Sequence, residues 1–179
     1  MISKLCHYIH RVSEVLAFIG ALLIFLLVLL TCEQVLARYA FHSSSIAMQE
    51  LQWHLFAASF LLASPYAYYK NKHISVDILS QSWSPMFRKV VTILALVIFF
   101  FPSMGFLIYY GIEFTIQARS YSTPQDFGWF QFLLQGEGSP NPGGLPGRWI
   151  IKAFIPLSAL WLTMEGIAHI FEYNDRVET

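Results

Sequence analysis

Three carboxylates and one amine interrupt the most apolar stretches of this sequence: Glu33, Glu113, Glu165 and Lys152. An ionisable group inside hydrocarbon is costly, and it marks an ion path, a proton relay or a helix contact. Each of the four lies within about two helical turns of the end of its run, where water or a head group is in reach. They read first as interfacial anchors or helix–helix contacts, with an ion or proton relay as the sharper alternative. No carboxylate falls at the expected middle of a span, as a self-contained proton-coupled carrier would need. The histidines His7, His10, His42, His54, His73 and His169 offer a second chemistry, because paired histidines hold haem between helices. His54 and His169 fall near opposite membrane faces and cannot share one haem. His10 and His169 fall on the same side, and that pair stays open. The sequence carries no nucleophile–base pair, phosphate-cradling glycine loop or zinc spacing, so it reads as a non-enzyme.

The elements that position these residues are those of a membrane protein. Of 179 residues, 56% are hydrophobic and 12% charged, against about 25% charged in soluble domains. A soluble fold of this length has too little interior to hide that much apolar surface. The net charge of zero gives no reason to expect a nucleic-acid partner. Cys6 and Cys32 bracket one predicted helix and lie about 39 Å apart along it, far beyond the reach of a disulfide. Residues 15–32 are uncharged and lack a small-residue cleavage site before Glu33, which predicts a retained first helix rather than a removable signal.

Four spans are predicted, at residues 12–36, 48–69, 90–112 and 149–171, in a single integral membrane domain covering residues 1–179. Ser45 is a suitable N-cap for the second span, which begins with Trp53 and ends with Tyr66, Tyr68 and Tyr69. Pro65 predicts a kink or loosening near its end. The connection of residues 70–89 mixes Lys70, Lys72, Arg88 and Lys89 with spaced apolar residues, as an amphipathic interfacial segment does. Pro85 is placed to open the third span, in which Pro102 and Gly105 predict a kink. Residues 120–148 form a long loop rich in Pro and Gly, with one short aromatic helix at residues 127–134. Gly143, Gly144 and Gly147 read as turns within it. In the fourth span Glu165 and His169, four residues apart, share a face. Trp53, Trp83, Trp129, Trp149 and Trp161 fall mostly at span boundaries, the usual place for tryptophan.

The basic residues divide unevenly. Lys4, Arg11, Lys70, Lys72, Arg88, Lys89 and Arg176 fall on the side of the two tails and the middle connection; Arg38, Arg119, Arg148 and Lys152 fall on the other. The positive-inside rule then places both termini in the cytoplasm and the long loop outside.

One hairpin remains. Arg38 follows the first span, Glu50 and Trp53 open an aromatic-rich second span, and Lys72 with His73-Ile74-Ser75-Val76-Asp77 follows it. This pattern, with the length, four spans and inside termini, resembles the small membrane subunit of tripartite ATP-independent periplasmic (TRAP) transporters, the DctQ type. The likeness extends over nearly the whole chain, although the loop of residues 120–148 is longer than in shorter family members. Pro140-Asn141-Pro142-Gly143-Gly144-Leu145-Pro146 resembles a subgroup whose substrates are often assigned as organic acids, including keto acids, or mannitol and chloroaromatics.

The resemblance implies a multi-pass protein of the bacterial inner membrane with no transport path of its own and no cofactor. It implies two protein partners, a large membrane subunit that moves substrate with sodium by an elevator-like motion and a periplasmic binding protein, with membrane lipid around them. Bracing the large subunit and helping dock the binding protein are the expected roles. Arg38, Glu50, Trp53, His73 and Asp77 are the candidate interface or structural residues. Glu50 or Asp77 is expected to cap a helix or pair with a basic residue of the large subunit, and Gly105 and Gly111 to admit a close neighbour. The alternatives are a haem- or quinone-associated anchor of a redox complex, and a small stand-alone exporter. Against the exporter, Glu14 precedes the apolar core instead of lying within it.

Overall fold

The computed structural model describes residues 2–70, 83–121 and 128–178, with side chains described for residues 4–70, 83, 84, 86–121 and 128–171. The described residues form helices and loops without a strand. In chain order they are α1 (Ile2–Ala40), α2 (Ile46–Tyr69), α3 (Pro85–Ala95), a π-helical turn (Leu96–Phe100), α4 (Phe101–Ser120), a 3-10 turn (Gly128–Phe130), α5 (Gln131–Leu134) and α6 (Trp149–Glu178). α3, the π turn and α4 make one continuous rod.

α1 is longer than the expected residues 12–36. Its 39 residues reach about 58 Å, against roughly 30 Å of hydrocarbon. The added N-terminal turns have a tertiary reason to stay helical: Cys6 and Ile9 are buried against Ala168 of α6, and His10 and Ser13 are buried beside them. The far end stops where His42 adopts a left-handed φ of 50° and the Phe41 and Ser43 N–H groups both return to the Ala37 carbonyl.

The predicted Ser45 cap is present, Pro85 opens a helix as expected, and Ser84 adds a cap not anticipated from the sequence. The Ser45 hydroxyl accepts from the Met48 N–H at the start of α2, and Ser84 accepts from Phe87 N–H ahead of Pro85 at the start of α3. Pro65, in contrast, does not end α2. A proline removes the hydrogen bond to the carbonyl four residues back, here Leu61. That carbonyl accepts instead from the Ser158 hydroxyl of α6 at 2.7 Å, so the helix continues to Tyr69. In hydrocarbon such a replacement is the condition for keeping the proline. The third span departs from expectation in the same economical way. Its irregularity lies at residues 96–100, ahead of Pro102, where the Phe101 N–H reaches back to the Leu96 carbonyl in a wide π-type turn.

The helices alternate in direction. Gly20 of α1 lies under the Ser59 carbonyl of antiparallel α2, where an added Cβ would meet that oxygen at 2.9 Å. α6 runs parallel to α2 through the Ser158–Leu61 bond and antiparallel to α4, with Gly111 against Pro156. α6 therefore touches α1, α2 and α4, while α1 and α4 lie at opposite edges. Gly111 admits a close neighbour from within the chain. Gly105, expected to do the same, faces open space.

Lys4–Ala40, Met86–Ser120 and Trp149–Phe171 are long and apolar enough to cross a membrane. α2 is long enough, but Gln49, Glu50, Gln52 and His54 lower its apolar character. Phe18, Phe25, Phe60, Phe99 and Phe106 stand exposed on the outside of the helices, as lipid-facing surfaces do. Because the α1–α2 seam depends on the missing side chain of Gly20, Gly20→Leu is expected to lower stability by about 1–3 kcal/mol. Thermal unfolding of the detergent-solubilised chain checks this, with Gly105→Leu as the control that leaves the midpoint unchanged.

Candidate functional site

The polar side chains gather at two levels, one at each end of the packed helices. At the end that holds the chain termini, the centre is Glu165 of α6, whose side chain is 1% exposed. The Ser13 hydroxyl of α1 donates to its Oε1 at 2.5 Å, and His10 Nδ1 of α1 lies 2.8 Å from its Oε2. The Trp161 indole of α6 donates to Ser13 Oγ at 2.9 Å. The His10 ring stacks on Tyr69 of α2 with centroids 3.9 Å apart, and Lys70 lies over the Tyr69 and Tyr66 rings and 3.8 Å from Glu14. Partial desolvation draws the Lys70 ammonium down. The Tyr69 and Tyr66 phenols and Glu14 outweigh it, so Lys70 stays above the ordinary lysine range. One buried acid thus fastens α6 to α1, and its histidine partner rests on α2. A buried acid is tolerated only when paired and hydrogen-bonded.

At the opposite end the centre is Glu50, buried in the first turns of α2. Its carboxylate accepts from the Ser139 hydroxyl at 2.5 Å, the Asn141 amide at 3.2 Å and the Leu145 backbone N–H at 2.9 Å. The loop is shaped to wrap it. Gly143 and Gly147 take positive φ, and a Cβ on Gly144 would meet Glu50 Oε2 at 2.8 Å. Beside this clamp, Glu137 is bound by Lys152 and lies 4.0 Å from Arg148, while its N–H bonds the Ala118 carbonyl. The Arg119 guanidinium sits between the Phe132 and Trp149 rings at 4.4 and 4.5 Å, and the Trp149 indole donates to the Leu133 carbonyl. The expected aromatic helix of residues 127–134 is present as the 3-10 turn and α5, and residues 122–127 lie outside the described residues.

Of the candidate residues, Glu50 is committed to the loop of its own chain. Arg38 and Trp53 are exposed, and no described hydrogen bond or ion pair joins either to Glu50. His73 and Asp77, with most of the expected amphipathic segment, lie outside the described residues. Glu33 is exposed and accepts from the Gln34 amide at 2.6 Å. The His10–Glu165 pairing escaped sequence reasoning, although His10 and Ser13 are three apart and so share a helix face. The Glu50 clamp has no comparable local signal.

Glu50 and Lys70 are twenty residues apart on α2, about 30 Å, which matches the hydrocarbon thickness of a bilayer. Between these levels, Ser158, Thr115 and Thr163 turn their hydroxyls onto backbone carbonyls. Among the described residues no three His, Cys, Asp or Glu side chains group as metal ligands. The His10 ring faces Glu165 and Tyr69, whereas the His169 ring packs edge-on to Tyr68. Their rings are engaged with different neighbours, which does not favour the haem pair.

The profile of the DctQ component of the tripartite ATP-independent periplasmic transporters matches residues 27–174. This chain belongs to the DctQ family. The match takes in the Glu50 clamp, Glu165 and Trp161, and leaves His10 and Ser13 upstream of it. A search of curated protein sequences returned no match. The family is one of transporter components and not of enzymes, so the chain is a small membrane subunit of a TRAP transporter.

The clamp carries a direct expectation for this DctQ subunit. Glu50→Ala leaves three donors without their acceptor, at a cost of about 1–3 kcal/mol for each buried group that water does not rescue. The loop of residues 137–147 should then be cut by protease much faster in Glu50→Ala than in the wild type, with Glu50→Gln intermediate. Equal cleavage rates would show that the clamp does not hold the loop.

Proposed function

We propose that this DctQ subunit braces the large membrane subunit of a sodium-coupled TRAP transporter that takes up an organic acid or similar small solute. The observation that carries this reading is the distribution of its polar groups. They are gathered at two levels about 30 Å apart, and they are used to fasten the chain's own helices and loop. Apart from the exposed Glu113 of α4, the layer between them is occupied mainly by apolar side chains and self-bonded hydroxyls, which suits a support and offers a solute no chain of steps to cross on.

In this reading α2 also crosses the membrane, which makes four spans in all. Its composition alone does not require that, but it packs along α1 and α6 and carries one polar cluster at each end. Both termini lie in the cytoplasm, as the basic residues direct. The Glu50-clamped loop then faces the periplasm of a bacterial inner membrane, fixed in shape and placed to meet the binding protein.

Co-expression tests this. The chain should co-purify with a many-span membrane subunit from native membranes. In proteoliposomes, a sodium gradient should drive uptake, with binding protein present, only when both membrane subunits are reconstituted. Uptake by this chain alone, or a Soret band in the purified subunit, would overturn the reading.

A further inference from the structure

The packing register fixes the depth of Glu113. On antiparallel α4 and α6, Gly111 meets Pro156 and Phe114 lies under Lys152, so Glu113 is level with residues 153–154. On parallel α2 and α6, Leu61 meets Ser158, which puts that level near Ala57. Ala57 is seven residues beyond Glu50, so Glu113 lies about 10 Å below the loop-end cluster and about 20 Å from the level of Lys70. The same level crosses α1 near Leu23, which lines a groove with Ala58 and Phe154 and is midway along the uncharged run of residues 15–32. Glu113 ends its own apolar run in the sequence, yet it lies a third of the way into the layer.

The carboxylate at this depth is exposed, and no hydrogen bond or ion pair from the described residues answers it. Glu33, Glu50, Glu137 and Glu165 are all answered within the chain. Helix geometry also works against Glu113 reaching the nearer surface. In a helix each Cα–Cβ bond tilts toward the N-terminus, which for α4 means deeper into the layer. Lys152, at nearly the same depth on the oppositely running α6, is tilted the other way and reaches Glu137.

Beside Glu113 is a groove of about 470 Å³ between α4 and α6, lined by Leu107, Gly111, Phe114 and Ile155, with Gln117 one turn from Glu113 on its rim. Gly111 on its floor is packed against Pro156 and holds α4 close to α6, while the apolar walls stay open to the outside. We propose that a transmembrane helix of the large transporter subunit docks in this groove and presents an arginine or lysine to Glu113. A lipid tail fits the shape but leaves the carboxylate unanswered. A second copy docked two-fold on the same groove would bring like charges together. The proposal rests on the brace reading above.

Two measurements on the co-expressed complex test it. A photo-crosslinking residue at Tyr110, which lines the groove, should join the chain to the large subunit in membranes, with Phe25 on α1 as the comparison position. Glu113→Leu should leave the thermal midpoint of the isolated chain unchanged or higher while lowering recovery of the large subunit on the order of tenfold, the ratio expected for a loss of 1.4 kcal/mol. Full recovery with Glu113→Leu, together with crosslinks from Phe25 but not Tyr110, would overturn the docking surface and leave the brace reading intact. A crosslinked product of two copies of this chain would overturn it in favour of self-association. Failure of the wild-type chain to recover any large subunit would overturn both readings.

Discussion

Hydrocarbon offers a polar group nothing to bond to, so each one inside a bilayer must be answered by protein or moved to the surface. This constraint accounts for three attachments between distant parts of the chain. Glu165 is answered by Ser13 and His10, Glu50 by the loop of residues 139–145, and the Leu61 carbonyl freed by Pro65 by Ser158. These bonds join segments far apart in sequence. Apolar contact between helices adds little preference in lipid, because lipid tails are as apolar as leucine. Close approach at Gly20 and Gly111 and a few buried hydrogen bonds must therefore choose the register.

The same constraint distinguishes a brace from a carrier. A carrier keeps polar groups in the layer for its solute or coupling ion. In this DctQ subunit the polar groups are drawn to the two ends and spent on internal fastening. Glu113 is the described acid that does not follow this pattern, and it faces outward from the packed helices. Its position directs attention to a neighbouring protein and away from any passage through the chain.

Much of the fold was legible because its signals are local. Uncharged runs gave the first, third and fourth spans, and Ser45 and Pro85 gave two helix starts. The Arg38, Glu50 and Trp53 pattern, with the run from His73 to Asp77, pointed to the family. Less legible was whatever depends on which helix faces which. The effect of Pro65 could not be foreseen without Ser158, nor the commitment of Glu50 without the loop folded over it. Pro102 signalled an irregularity, but the geometry that relieves it forms one turn earlier. Glu113 ends an apolar run on paper, and only the alignment of α4 with α6 and α2 shows how far it stands from the level of Glu50. Sequence distance to the nearest charge is a poor measure of depth when neighbouring helices are offset.

The account depends most on α2 crossing the layer with Glu50 and Lys70 at opposite faces, since its composition alone leaves that open. Single cysteines at Ser45, Ser59 and Lys70, in a background lacking Cys6 and Cys32, can be probed in oriented membrane vesicles with a membrane-impermeant thiol reagent. The account predicts labelling of position 45 from the periplasmic side only, of position 70 from the cytoplasmic side only, and of position 59 from neither. Labelling of positions 45 and 70 from the same side would contradict it.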